Sequence, residues 1–141
     1  MGCYFCENAG GEVLWEDDAC RAVWAYEPDH PGTCRVIWDK HVREMTELKP
    51  GERDRLMRVV LAVEQALLAV VQPDKINLAS LGNQVPHVHW HVIPRFLDDP
   101  HFPNPVWGGK LRQAARALPD DFSMRMRKTL DSLLKPRGLV G

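Results

Sequence analysis

The segment Pro86-His87-Val88-His89-Trp90-His91-Val92-Ile93-Pro94-Arg95 constrains this chain more than any other stretch. Three imidazoles alternate with bulky apolar residues, which is the period of a half-buried β-strand. On a strand, side chains two apart share a face at roughly 6.6 Å spacing. Val88, Trp90 and Val92 are then expected to point into a core while His87, His89 and His91 face a common cleft. A helix would set successive members of the triplet ~200° apart and scatter them. Imidazole serves near neutral pH as base, nucleophile or metal ligand. Half of the six histidines on one strand face therefore mark a site. Two other readings of the residues compete: a solvated strand face, and a metal site made by the three histidines alone.

At 141 residues the chain is expected to form one domain, 1–141, with a sizeable core. A net charge of −1 argues against nonspecific binding of a nucleic-acid polymer, which needs a basic face, but leaves room for a pocket that takes one nucleotide. No apolar run approaches the ~20 residues of a membrane span. Residues 1–7 show no basic leader followed by an apolar stretch, and Cys6 breaks the myristoylation pattern after Gly2. The expectation is a cytoplasmic protein with no membrane partner. Four cysteines in that compartment are not a disulfide framework. Cys20 and Cys34 sit in strand-like contexts and read as packing residues. Cys3-Tyr4-Phe5-Cys6 has the two-residue spacing that lets both thiolates reach one tetrahedral Zn²⁺. A redox pair is the rival, although no βαβ pattern surrounds it.

Hydrophobic patterning predicts strands over residues 12–15, 20–25, 33–38, 76–81 and 86–93, the first two joined by the turn Glu16-Asp17-Asp18. Pro50 opens the clearest helix, whose apolar stripe runs Leu56, Val59, Val60, Val63, Ala66, Leu67, Val70 and Val71 before Pro73 stops it. A second helix is expected over 120–135, with Phe122, Met126, Leu130, Leu133 and Leu134 inside. Strands interrupted by one long helix and closed by another predict an α+β fold with an antiparallel sheet. His30 and His101, in Pro-rich loops, read as surface residues. Trp107 either packs or approaches the histidine cleft, from this chain or from a partner subunit.

His87-Val88-His89-Trp90-His91-Val92-Ile93 matches His-φ-His-φ-His-φ-φ, with φ apolar, and so resembles the signature of the histidine triad (HIT) superfamily of nucleotide hydrolases and transferases. Gly32-Thr33-Cys34-Arg35-Val36-Ile37-Trp38-Asp39-Lys40-His41 resembles that family's Gly-His-x-Leu-Val-Ile-Pro-Lys-x-His strand and turn. The long helix, the Asn77 strand and the Cys-x-x-Cys start fall in family order, so the resemblance covers residues 3–96. It implies a five-stranded antiparallel sheet with two helices, paired as a homodimer. It also implies a purine-nucleotide-type small-molecule substrate cleaved at the α-phosphate through a nucleotidyl-histidine intermediate.

By the same resemblance His89 is the nucleophile and His91 a phosphate-contacting catalytic residue. Gly82, Asn83 and Gln84 occupy the phosphate-contacting segment, and Asn77 either orients the nucleophile, binds phosphate or is a plain strand-end amide. Gln84 stands where the commonest pattern has Ser or Thr, and the loop from Asn77 to Gly82 is about one residue short, which leaves the leaving group open. Zinc-bearing relatives complete the Cys-x-x-Cys with two histidines, which implies a closed structural Zn²⁺ site of Cys3, Cys6, His41 and His87. The activities in view are hydrolysis of a nucleoside phosphoramidate or dinucleoside polyphosphate, nucleotidyl transfer, and a non-catalytic zinc-braced nucleotide-binding scaffold.

Overall fold

Five strands, β1 (Glu12–Glu16), β2 (Cys20–Trp24), β3 (Cys34–Trp38), β4 (Lys75–Ala79) and β5 (His89–Arg95), form one antiparallel sheet in the order β1-β2-β3-β5-β4. The computed structural model describes residues 2–135. The expected five-stranded antiparallel α+β architecture is present, with α2 (Pro50–Val70) and α3 (Phe122–Leu133) as its long helices and a short α1 (Tyr4–Glu7) that the periodicity did not foretell. A single turn is too short to carry a 3.6-residue pattern.

Alternation within each strand sorts the sheet into two faces. Cys20, Ala22, Cys34, Val36, Trp38, Ile76, Val88 and Val92 point one way and are buried in the main core. There they meet the α2 stripe from Leu56 to Val70 and Phe122, Met126 and Leu130 of α3. Both long helices cover this face, so the opposite one is left for side chains with other work. On that outer face Phe5 of α1 packs with Val23 and Ile37 in a second, smaller cluster.

Element ends follow local chemistry. Pro50 occupies the first turn of α2, and the Glu52 carboxylate accepts the Lys49 N–H at 2.7 Å. The helix closes at Val70, with Gln72 in the left-handed region (φ 55°). The second long helix is shorter than the expected 120–135 and its Leu133 is only partly buried. The histidine strand begins at His89 rather than Pro86. Pro86 has no N–H, the His87 N–H turns back to Val85 O at 2.8 Å, and the Val88 N–H goes to Val42 O at 2.8 Å, so residues 86–88 approach the sheet irregularly.

After β5 the chain folds back along the sheet, held by one buried ion pair. Arg95, 2% exposed, donates to both carboxylate oxygens of Asp99 at 2.8 and 3.1 Å, to Asn77 Oδ1 at 2.7 Å and to Asn104 O at 2.8 Å. Asp99 also accepts the N–H groups of Phe96, His101 and Phe102. Burial works against its charge, but the Arg95 guanidinium and these N–H donors outweigh that and hold its pKa far below the usual carboxylate range. This fold-back overturns the surface reading of His30 and His101: both are buried, with His30 Nε2 2.9 Å from His101 Nδ1.

Removing one partner of a buried pair strands the other charge, at a cost of about 3–5 kcal/mol, whereas an exposed pair contributes about 1 kcal/mol or less. Asp99→Ala is therefore expected to lower unfolding stability by about 3–5 kcal/mol in urea titration. Asp18→Ala, at the exposed Arg55 contact, should lower it by about 1 kcal/mol or less. Equal effects of the two substitutions would contradict the role given to Asp99.

Candidate active site and metal centre

The histidine strand delivers its side chains to two adjacent places. Strand register pairs Ile37 with His89 and Arg35 with His91, so His89 and His91 stand on the outer sheet face as alternation requires. Their rings are edge-to-face at 5.1 Å. His87, ahead of the strand and fully buried, belongs instead to a separate cluster. The common cleft expected of all three histidines is thus divided: His91 lines one cleft, His89 borders a second hollow, and the His87 ring turns to the N-terminal segment.

That cluster consists of Cys3, Cys6, His41 and His87, whose donor atoms all lie within 4.8 Å of one another. Cys3 Sγ is 3.3 Å and Cys6 Sγ 3.5 Å from His87 Nδ1, Cys6 Sγ is 3.5 Å from His41 Nδ1, and the two Nδ1 atoms are 3.2 Å apart. A tetrahedron with metal–nitrogen bonds of ~2.0 Å and metal–sulfur bonds of ~2.3 Å has N–N edges of ~3.3 Å and N–S edges of ~3.5 Å. The four residues fit such a metal. The Nε2–H of His87 donates to Trp38 O at 2.5 Å, which leaves Nδ1 with the lone pair that a metal requires. Burial pushes the His87 pKa down, favouring the neutral, ligating form. Cys20 and Cys34 take no part: burial pushes the Cys20 thiol up to about 12 and raises that of Cys34 as well, so both remain inert packing groups.

Beside this cluster His89 is 5% exposed and its Nδ1–H donates to His87 O at 2.6 Å. The tautomer is thereby fixed with the lone pair on Nε2. The ring is held edge-on by Phe5 at 4.7 Å, and its backbone carbonyl accepts the Ser80 hydroxyl at 2.7 Å. Burial lowers the His89 pKa, with a further contribution from the charge of Arg35. Burial, then His89 and Arg35, push His91 down to about 4. Both imidazoles are neutral at pH 7.

His91 lines a cleft of about 210 Å³ with Glu27, Thr33, His30, His101 and Trp107. The Trp107 ring lies edge-on to His91 at 5.1 Å and comes from the same chain. The segment carrying Trp107 and His101 is tied down by the Arg95–Asp99 pair and by Arg112, whose guanidinium donates to Asp99 O and Phe102 O. His30, His101 and Arg95 were not legible as site-shaping residues. Their only signal was polarity in an otherwise apolar and Pro-rich stretch.

The remaining expected residues are less convergent. Asn77 pairs in register with Ile93, placing it on the histidine face, where its Oδ1 accepts from Arg95. Its observed partner is therefore structural. Gly82, in the left-handed region at φ +73°, lines a second hollow with Ser80, His87 and His89. Asn83 and Gln84 are exposed and make no side-chain hydrogen bond among the described residues.

A family model, the HIT domain, matches residues 7–98. A fission yeast (Schizosaccharomyces pombe) bis(5'-nucleosyl)-tetraphosphatase (asymmetrical) is 31% identical over 91 residues, 61% of this chain and 50% of that protein. This chain thus spans about half the length of that relative. A histidine triad protein from Sinorhizobium meliloti 1021 superimposes with a TM-score of 0.73 at 25% identity, covering 92% of this chain and 96% of the other. A zinc-bound histidine triad family protein from Mycobacterium smegmatis has the same fold, with a TM-score of 0.66 at 22% identity over 94% and 96% of the two chains. With the family model spanning most of the chain, and His89 and His91 standing on β5 inside the sheet, the protein is a member of the HIT family.

Proposed function

We propose that this protein is a nucleotide hydrolase in which His89 attacks the α-phosphate of a nucleoside phosphoramidate or dinucleoside polyphosphate and releases a nucleoside monophosphate. One observation carries the reading: the His89 Nδ1–H bond to His87 O, which leaves Nε2 unprotonated and ready to attack. In the first step the Nε2–phosphorus bond forms while the bond from phosphorus to the leaving group breaks, and the leaving group departs with its electron pair and acquires a proton. Water then attacks phosphorus, the nitrogen–phosphorus bond breaks and the imidazole is regenerated. Covalent catalysis divides one difficult substitution into two easier ones. His91, one strand repeat away, contacts the phosphate or assists the leaving group. Backbone N–H groups of Gly82, Asn83 and Gln84 are the proposed donors to the developing charge.

The metal of this reading is Zn²⁺, held by Cys3, Cys6, His41 and His87 in a closed site. Four protein ligands leave no open position, so the ion braces the approach to β5 rather than activating water. A zinc-bound relative and the fit of the donor set support the choice. Symmetric pairing of two chains belongs to the same reading. The cleft wall does not require it, because Trp107 reaches His91 within one chain.

His89→Ala is expected to abolish turnover of adenosine phosphoramidate and diadenosine tetraphosphate, with kcat lowered at least ~10³-fold and AMP binding largely retained. Rapid acid quench of the wild type should trap an acid-labile adduct on His89. An adduct mapped to another residue would overturn the assignment.

Metal analysis should give close to one zinc per chain. The Cys3→Ser, Cys6→Ser double variant should lose it and melt at lower temperature, since binding to the native state contributes folding free energy. Full zinc retention by that variant would refute the ligand set.

Because burial depresses both His89 and His91, the zinc-loaded enzyme should keep its neutral, active imidazoles below the ordinary pKa of ~6.5. For a dinucleoside polyphosphate, the acidic half-maximum of kcat/KM should fall below pH ~6.5; a half-maximum at ~6.5 or above would contradict this. Stability follows the same sign. Between about pH 6.5 and 4 the unfolded chain binds protons at His91 that the native state refuses, so stability is full above that window and falls through it on acidification.

A further inference from the structure

Arg35 is a charged residue on the sheet face that carries His89 and His91. It is the direct β3 partner of His91 and stands next but one to Ile37, the partner of His89. Three strand arginines share this face, and their partners differ. Arg21 is held by Asp39 at 2.7 Å and Arg95 by Asp99 at 2.8 Å. Arg35 has no hydrogen-bonded carboxylate; its nearest is Glu27, half exposed and 3.7 Å away. Its Nη1 donates to Gly10 O at 2.7 Å, and the Phe5 ring lies 5.7 Å from its guanidinium carbon. The other edge of the guanidinium, Nε and Nη2, has no hydrogen-bonded partner among the described residues, and Nε is buried. An unmet buried N–H is costly, and a fork of two N–H donors is the shape that fits a phosphate.

The imidazoles beside it sharpen the point. With His91 neutral, the triad itself offers no positive charge to an anionic substrate. Arg35 supplies a permanent one, and its charge contributes to keeping His91 unprotonated. The bond to Gly10 O uses one edge of the guanidinium only, and the unpartnered edge beside it suits an anionic ligand.

We infer that Arg35 is a substrate-binding residue that takes non-bridging oxygens of the substrate's phosphate chain through its Nε–Nη2 edge. It thereby favours phosphorylated nucleotides over the unphosphorylated nucleoside. This rests on the hydrolase reading and assigns that site its permanent positive charge. Charge-assisted bonds of this kind are each worth one to two orders of magnitude in binding.

The test is calorimetric titration of the zinc-loaded full chain with adenosine, AMP and ADP, the guanosine series in parallel, for wild type, Arg35→Leu and Arg35→Lys. In Arg35→Leu, ADP affinity should fall roughly 10- to 100-fold while adenosine affinity changes by about threefold or less. Arg35→Lys keeps the charge but not the fork, so it should show an intermediate loss. Adenosine binding and zinc content report whether the Arg35 bond to Gly10 matters only for folding. ADP affinity within about threefold of wild type in Arg35→Leu, or an equal fall for adenosine and ADP, would overturn the inference. If Arg35→Leu loses its zinc, Arg35→Lys decides: wild-type ADP binding there overturns it. A wild-type protein that binds no nucleotide at all would sink the hydrolase reading instead.

Discussion

His87 joins two sites through two different groups on one residue. Its ring sits in the Cys3–Cys6–His41 cluster with Nε2–H committed to Trp38 O, and its backbone carbonyl takes the Nδ1–H of His89. Anything that fixes the position of His87 therefore fixes the tautomer and orientation of the neighbouring imidazole. The link is short and directional, since the His89 Nδ1–O distance is 2.6 Å. A metal held by these four residues would act on the proposed chemistry through geometry, by holding the backbone from which the acceptor projects.

The sheet makes this possible by dividing its labour. α2 and α3 bury one face, and the other is roofed only in part by α1 and the segment after β5. Both roofing pieces are polar at their anchors. α1 is held by the Arg21 guanidinium donating to Phe5 O at 2.7 Å and by the Arg35 bond to Gly10 O. The later segment is held by Arg95 and Asp99. The cleft beside His91 is thus built from loops on a rigid floor, an arrangement in which specificity can vary without disturbing the core.

Electrostatics on the outer face are uneven in a useful way. Burial favours the neutral imidazoles, which preserves the lone pair that the proposed attack requires. The arginines carry the positive charge instead. Arg21 and Arg95 are each held by a carboxylate, whereas Arg35 is anchored through Nη1 alone and keeps a buried Nε without a hydrogen-bond partner.

The alternation of residues 87–93 determined by itself that this stretch is a strand, that Val88 and Val92 face the core and that His89 and His91 share the opposite face, because period-two patterning has one geometric solution. The α2 stripe and the inward residues of α3 were equally legible, as amphipathic helices state their buried face directly. The pairing of Cys3 and Cys6 with His41 and His87 came from family resemblance; the coordinates bring these four together across 84 residues of sequence, a separation that no local rule spans. Tertiary structure alone decided the early end of the strand at His89, the burial of His30 and His101, and the arrival of Trp107 at His91 from the same chain. Each depends on where a loop returns, and that is set by the Arg95–Asp99 ion pair and by backbone hydrogen bonds at residues 86–88. Long-range closure of this kind leaves no periodic trace in the sequence.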